Sequence, residues 1–282
     1  MKIMITGANG MLAKAVKERF KDEALICTDI EELDITKIDA VQKCVESLKP
    51  DVLINCAAFT AVDKAEEYYE QAYRINTMGP ENLAIACSKT ETLLVHISTD
   101  YVFGGKLDIN SIYDENDGKE PETVYGRTKL NGENAVKKYT TRYYIFRTAW
   151  LYGDGPNFVR SMLKLGREQE QVKVVYDQYG SPTYTADLAD IIYQALEKKI
   201  PMGTYHATNL GFVNWYGFTK EIFKIADISC KVIPVTSEEF VRLAKRPKNS
   251  MMAKGKLLDE GIEIPSWQDA LKRYLEVELK SE

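Results

Sequence analysis

The sequence predicts an α/β protein with a doubly wound parallel sheet and a smaller C-terminal α/β lobe. Nearly continuous apolar segments alternate with helical segments through the first 150 residues, which is typical of a parallel sheet covered on both faces. The first apolar segment ends in a glycine turn that leads directly into a helix. Ligands of such sheets bind beyond the carboxyl ends of the strands. We therefore expect the functional residues along one edge of the sheet.

The elements of the sheet domain are predicted from apolar spacing. The strands are short apolar runs, and the helices repeat apolar residues every three or four positions, as Val41, Val45 and Leu48 do. In chain order we predict strand 2–6, helix 11–20, strand 24–28, helix 38–48, strand 51–58, helix 66–89, strand 93–98, helix 121–138 and strand 143–149.

The alternation changes after residue 150. We assign residues 1–150 to the sheet domain, expect about 170–198 to return to it, and assign 151–282 mainly to a smaller lobe that closes over the cleft. The downstream elements that support this division are a helix at 157–168, an apolar run at 172–177 and a helix at 187–198.

Composition and charge exclude several classes of function. The net charge is -5 and no basic face is evident, which argues against a nucleic-acid partner. No apolar run is long enough to span a membrane, and the N-terminus does not resemble a signal peptide. The five cysteines form no Cys-x-x-Cys pair and there are two histidines, so we predict no disulfide framework and no metal site. We expect a cytoplasmic protein, with a monomer and a homodimer both open.

The glycine turn predicts a dinucleotide cradle and a Rossmann-like sheet domain. Gly7 and Gly10 follow the first strand and precede a helix, and Ala13 stands where a third glycine is common. Backbone N–H groups at such a helix start can meet a pyrophosphate, and glycine permits a close approach. The expected cofactor is NADH or NADPH.

Asp29 and Lys14 favour different coenzymes. Asp29 ends the second strand, where a carboxylate can accept hydrogen bonds from the adenosine ribose of NAD. Lys14 is expected near the same ribose, where it can pair with the 2′-phosphate of NADP. The other predicted cofactor contacts share positions at the helix start or after a strand, and they are Met11, Leu12, Asp34, Ile35, Ala57, Ala58 and Thr60.

Tyr125 and Lys129 are spaced for proton transfer. They lie one helical turn apart on the same face, and a nearby ammonium favours the phenolate and lowers the pKa of tyrosine. Tyr125 can then give a proton to a carbonyl oxygen while hydride reaches the carbon. Both are also predicted to contact the cofactor. A hydroxyl at the end of the fourth strand can stabilise the same oxygen, and the spacing alone leaves Ser98 and Thr99 as alternatives.

The chain resembles the extended short-chain dehydrogenases/reductases and, among them, the dTDP-4-dehydrorhamnose reductases. The similarity covers nearly the whole chain. Its motifs are Gly7-Ala-Asn-Gly10, Asn55-Cys-Ala-Ala-Phe-Thr-Ala-Val-Asp-Lys-Ala-Glu66, Ser98-Thr-Asp-Tyr-Val-Phe103, Tyr125-Gly-Arg-Thr-Lys129, Arg147-Thr-Ala-Trp-Leu-Tyr-Gly153, Asp177-Gln-Tyr-Gly-Ser-Pro-Thr183 and Arg246-Pro-Lys-Asn-Ser250.

This resemblance implies an enzyme and its site. The family reduces the 4-keto group of dTDP-6-deoxy-L-lyxo-4-hexulose to dTDP-L-rhamnose with NAD(P)H, for cell-surface polysaccharides. The resemblance implies that Tyr125 is the catalytic acid, supported by Lys129 and Thr99. The resemblance also implies substrate contacts at Asp100 and Trp150, and contacts with the nucleotide half of the substrate at Arg246 and Asn249.

Two alternatives remain open. One is a dinucleotide-binding regulatory subunit like the methionine adenosyltransferase beta chain, which intact Thr99, Tyr125 and Lys129 disfavour. The other is a nucleotide-sugar epimerase, dehydratase or different reductase, although dehydratases of this superfamily usually have an acidic pair where Asp100 is followed by Tyr101. The loop after Phe103 has two glycines where the family often has aspartate before glycine. Whether a divalent ion binds is left undetermined.

Overall fold

The main sheet has six parallel strands, in the order β10-β5-β4-β3-β1-β2. This computed structural model describes residues 1–105, 108 and 111–280. The strands are β1 Lys2–Thr6, β2 Ala24–Thr28, β3 Val52–Asn55, β4 Leu93–Thr99, β5 Tyr143–Thr148, β6 Leu151–Tyr152, β7 Gln171–Val175, β8 Tyr179–Gly180, β9 Thr183–Tyr184, β10 Gly203–His206, β11 Val213–Asn214 and β12 Lys231–Val235. The predicted fold class is confirmed.

Helices cover both faces of this sheet. The α-helices are α1 Met11–Arg19, α2 Ile38–Leu48, α3 Val62–Glu67, α4 Tyr69–Tyr73, α5 Gly79–Thr90, α6 Val124–Tyr139, α7 Phe158–Glu168, α8 Thr185–Lys198, α9 Trp215–Ile225, α10 Gly255–Asp259 and α11 Trp267–Glu278. Within residues 1–105, 108 and 111–280, no helix combines the length and apolar content that a membrane span needs.

The core follows from the alternation of side chains along buried strands. Ile3 and Ile5 of β1 face one apolar cluster, which includes side chains of α1 and α8. Met4, between them, faces the opposite cluster, which includes side chains of α2, α5 and α6. Both faces of the sheet are therefore dry, and its carboxyl edge is left to bind ligands.

Two parts of the chain differ from the sequence-based prediction. Residues 66–89 do not form one helix, because the chain breaks at Tyr68 and widens into a π-helix over Arg74–Met78 before α5 begins. Pro80 lies in the first turn of α5 and has no N–H to donate, so it favours a helix start there. The second difference is β10, which pairs with β5 in the main sheet although it was predicted within the smaller lobe.

A separate apolar cluster lies outside the core of the main sheet. It joins α7, α9 and α11 to the parallel pair of β7 and β12. In contrast, α8 packs against α1 in the core of the main sheet. The division of the chain near residue 150 stays a prediction.

Candidate active site

The glycine turn has the geometry of a dinucleotide cradle. Gly7 has a φ of 66°, and a Cβ atom there would lie 2.6 Å from the backbone nitrogen of Ala57. Only glycine therefore fits between β1 and the chain leaving β3. The Gly10 N–H donates to the Gly7 carbonyl at 3.0 Å and starts α1. A helix start beside a bare glycine backbone is a fitting site for a pyrophosphate.

A cavity of about 290 Å³ lies beside this turn. Asp29 lies in its wall, and the Asp29 carboxylate accepts a hydrogen bond from the backbone N–H of Asn9 at 2.8 Å. The cavity brings together most of the predicted cofactor residues, namely Gly7, Gly10, Asp29, Asp34, Ile35, Ala57 and Ala58. The rest of the cavity wall consists of Ile30, Leu33, Thr36, Cys56 and Ile75.

Four predicted cofactor residues lie elsewhere. The Lys14 ammonium forms a salt bridge with Asp154 at 2.9 Å and does not line the cavity of Asp29. The Leu12 side chain is buried in the core, and Met11 packs beside the loop at Gly155. Thr60 is exposed and outside the cavity wall. A position in the first helical turn predicts backbone proximity, whereas side-chain direction depends on packing.

The start of α6 is built to hold Tyr125 against β4. Thr123 caps the helix by accepting from the Gly126 N–H at 3.0 Å, and the Glu66 carboxylate accepts from the Val124 N–H at 2.9 Å. A Cβ atom on Gly126 would lie 2.2 Å from the Tyr101 carbonyl oxygen. The helix therefore sits directly on the turn that follows β4.

Thr99 and Tyr125 meet at the carboxyl end of β4. A hydrogen bond joins their hydroxyl groups, and the Thr99 hydroxyl also donates to Asp100 at 2.9 Å. Burial raises the pKa of Tyr125 to about 12, with the bond to Thr99 opposing the shift. This differs from the expected lowering by Lys129. Tyr125 is thus held protonated at neutral pH.

Lys129 is buried behind Tyr125 and bonded to the sheet. Its ammonium donates to the Ile97 carbonyl at 2.5 Å. Burial lowers the pKa of Lys129 to about 8, while the Glu133 carboxylate and the Cys56 thiol favour the cation. Cys56 lines the cofactor cavity, so Lys129 lies between that cavity and the sheet.

The choice between Ser98 and Thr99 is decided by a buried ion pair. The Ser98 hydroxyl donates to Glu133 at 2.6 Å, and Arg147 donates to both Glu133 oxygens at 2.8 and 2.7 Å. Neither Glu133 nor Arg147 is exposed to solvent. Ser98 therefore points into this pair, and Thr99 supplies the hydroxyl on the Tyr125 side.

A second cavity, of about 890 Å³, extends from Asp100 along α7. Trp150 and Trp215 line it and stack with ring centroids 3.6 Å apart. Trp150 has a φ of 49°, which is uncommon for a bulky residue. A Cβ atom on Gly180 would lie 2.8 Å from the Trp150 indole. Close packing on both sides thus fixes Trp150 in the cavity wall.

Comparison with known proteins identifies the family. The model of the RmlD substrate binding domain matches residues 1–279. The chain belongs to the RmlD substrate binding domain family. A dTDP-4-dehydrorhamnose reductase of Streptomyces griseus is 40% identical, with 95% of this chain and 91% of the relative covered.

Solved structures agree with this membership. The dTDP-4-dehydrorhamnose reductase of Clostridium acetobutylicum has a TM-score of 0.96 and 47% identity, covering 99% of this chain and 100% of that one. The Bacillus anthracis enzyme, solved in complex with NADP, has a TM-score of 0.94 and 42% identity, covering 98% and 100%.

Two of the substrate contacts expected for an RmlD-family chain occupy different surroundings. Arg246 lines the large cavity, whereas Asn249 is buried and its amide donates to the Asp108 and Ser111 carbonyls, each at 2.8 Å. Asn249 therefore holds backbone and does not line the cavity. Gly105, the second glycine after Phe103, has no room for a side chain, since a Cβ atom there would lie 2.8 Å from Pro247.

The structure adds two site residues that sequence analysis missed. Trp215 stacks on Trp150, and Asp63 accepts hydrogen bonds from Ala244 and Arg246. Neither residue has a local pattern that predicts its partner, because both contacts join segments far apart in the chain.

Proposed function

We propose that this chain reduces the 4-keto group of dTDP-6-deoxy-L-lyxo-4-hexulose to dTDP-L-rhamnose, with NADH or NADPH as the reductant. Family membership and the printed function of the similar reductases support this reaction. The bound Bacillus anthracis coenzyme supports a nicotinamide cofactor here. Other nucleotide-sugar reductases of the family leave the same site chemistry possible, so the sugar is part of the proposal.

The hydrogen bond between Thr99 and Tyr125 is the observation that carries this proposal. On one side, Thr99 bonds to Asp100, which lines the large cavity. On the other side, Lys129 acts on the Cys56 thiol, which lines the cofactor cavity. A proton donor between a dinucleotide site and a substrate site is what carbonyl reduction requires.

The residues divide the reaction between holding and proton transfer. Gly7, Gly10 and Asp29 hold the dinucleotide, which supplies a hydride to C4 of the sugar when bound. Tyr125, protonated because its pKa is raised, gives its proton to the C4 oxygen. Thr99 hydrogen-bonds the same oxygen as negative charge develops on it. Lys129 keeps a positive charge beside the cofactor cavity.

A direct assay of coenzyme oxidation tests the proposal. The purified protein is incubated with the keto-sugar nucleotide and either NADH or NADPH, and oxidation of the nicotinamide is followed by absorbance. We expect oxidation that depends on the keto sugar, and formation of dTDP-L-rhamnose. Absence of oxidation with both coenzymes would reject the reductase function. The same comparison determines the coenzyme preference that Asp29 and Lys14 left open.

The buried Lys129 predicts an alkaline limit to activity. Its pKa is about 8, so the cation is present below pH 8 and is lost as the pH rises through that value. We expect kcat/KM for NAD(P)H to fall by about tenfold for each pH unit above this pKa. The ratio kcat/KM is the one to measure because it reports the ionisation of groups in the free enzyme. Tyr125, with a pKa of about 12, remains protonated throughout this range. A pH–rate profile measures the effect.

Lys129→Arg is the matched variant for this profile. Arginine keeps its charge beyond pH 12 or so, so any activity left in this variant should lack the limb near pH 8. A limb that stays at the same pH in Lys129→Arg, or a wild-type profile that is flat to pH 10 or so, would contradict the assignment to Lys129.

The cellular setting is also a proposal. We propose a cytoplasmic enzyme that works as a monomer or homodimer, without nucleic acid or a membrane as a partner. The acidic net charge and a nucleotide-sugar substrate support this setting. Sedimentation analysis of the purified protein distinguishes the two oligomeric states.

A further inference from the structure

Arg246 is held in the wall of the large cavity by Asp63, which is distant from it in sequence. Its guanidinium donates to the Asp63 carboxylate at 2.6 Å, and the second oxygen of Asp63 accepts from the Ala244 N–H at 3.0 Å. Asp63 belongs to α3, which precedes the catalytic segments. The Asp63 carboxylate thus bonds both to the guanidinium and to the backbone near it, and these two bonds position the guanidinium.

The guanidinium lies at the reaction end of the large cavity. Arg246, Asp63 and Tyr125 all act electrostatically on the phenol of Tyr101. The Tyr101 ring packs edge-on against Tyr125, with centroids 5.4 Å apart. Arg246 therefore lies close to the group that donates the proton.

The opposite end of the cavity is far from these residues. The cavity wall follows α7 from Phe158, which packs against Trp215, to Leu165 and then Gln169. Eleven residues of helix span about 16 Å. The length of this wall gives a nucleoside room to extend along α7 toward Gln169.

Two polar atoms at the reaction end have no hydrogen-bond partner among the described residues. They are Nη1 of Arg246, a donor, and Oδ2 of Asp100, an acceptor. Both residues line the large cavity, and Asp100 is 3% exposed. Buried polar groups are almost always paired. A ring that carries hydroxyl groups can pair with both side chains when it enters the cavity, because each hydroxyl donates and accepts.

We propose that Arg246, positioned by Asp63, reads the hydroxyl groups of the hexulose ring together with Asp100, and so determines the sugar that this enzyme accepts. This inference rests on the proposed function, and it moves Arg246 from the nucleotide half of the substrate to the sugar half. Arg242 lines the same two cavities as Arg246, this one and its neighbour of about 580 Å³, but is exposed, so it provides a matched arginine for comparison.

Competitive inhibition by the product, dTDP-L-rhamnose, and by its nucleotide fragment, dTDP, separates the two halves of the substrate. The inhibition constants of dTDP and dTDP-L-rhamnose are measured for the wild type, Arg246→Met and Arg242→Met. We expect Arg246→Met to raise the constant of dTDP-L-rhamnose by about tenfold or more and to leave that of dTDP unchanged. We expect Arg242→Met to change both constants by the same factor.

The result that would overturn the inference is an equal change for both inhibitors in Arg246→Met, including no change. An equal increase would place Arg246 on the diphosphate. Failure of the proposed function gives a different result, since the wild type would then show no keto-sugar-dependent oxidation of NAD(P)H. The two failures are therefore distinguishable.

Further variants keep the test interpretable. Thermal melting and the Kd for NADPH establish that Arg246→Met is folded, and Arg246→Lys, which keeps the charge but loses the fork, replaces it if it is not. Asp63→Asn should raise the dTDP-L-rhamnose constant in the wild type and add nothing in Arg246→Met, because Asp63 acts through the guanidinium. Additive effects of the two substitutions would contradict the positioning role.

Discussion

Replacing Tyr125 with phenylalanine is expected to lower turnover by about 10²- to 10⁴-fold, the usual contribution of a positioned general acid. The substitution removes one oxygen from a ring that packs against Tyr101, so the cavity keeps its shape. No other phenol occupies the hydrogen bond with Thr99 among the described residues. Steady-state kinetics with the keto-sugar nucleotide measures the loss, and fluorescence titration measures the Kd for NADPH, which should be unchanged.

Tyr139→Phe is the control for this substitution. Tyr139 is the last residue of the same helix, and its hydroxyl accepts from Lys138 at 3.0 Å. Loss of this phenol should leave both constants unaffected. If Tyr125→Phe retained near-normal turnover, the proton would have to come from another group, with the buried carboxyl of Asp100 the next to examine.

Replacing Glu133 with glutamine should cause the largest loss of stability. The substitution leaves the Arg147 guanidinium charged and wholly buried, and breaking a buried ion pair in this way costs about 3–5 kcal/mol. The glutamine carbonyl oxygen can still accept from the Ser98 hydroxyl, but the substitution removes one charge that favours the Lys129 cation. Denaturant unfolding of the NADPH-free protein measures the change in the free energy of unfolding.

A double variant separates charge from packing. Glu133→Gln combined with Arg147→Met removes the unpaired Arg147 charge, so it should recover much of the stability that Glu133→Gln loses. Ser98→Ala should cost about 1 kcal/mol, the contribution of a single hydrogen bond. Equal stability of the single and double variants would show that unpaired charge is not the cause of the loss.

The sheet could be predicted from sequence because its signals are local. The strands Lys2–Thr6 and Ala24–Thr28 and the helix Ile38–Leu48 have the predicted bounds, since apolar periodicity alone defines them. β10 was missed because its run Gly-Thr-Tyr-His is short and not apolar throughout. It becomes a strand by pairing with β5, which is a tertiary effect.

The candidate site was predictable in outline and not in its electrostatics. Motif order predicts that Thr99, Tyr125 and Lys129 converge, because strand ends and helix starts meet at one edge. The pKa of Tyr125 is raised by burial and by the Asp100 carboxylate, which depend on tertiary packing. That Arg246 lines the large cavity while Asn249 holds backbone depends on the path of their shared segment, which local pattern does not contain.

The stacked indoles provide an intrinsic optical reporter. The chain has three tryptophans, and two of them, Trp150 and Trp215, form the pair in the wall of the large cavity. The third, Trp267, lies in the apolar core. Near-ultraviolet emission therefore originates largely beside the place where the sugar nucleotide docks, and occupancy can be followed in unlabelled protein without turnover.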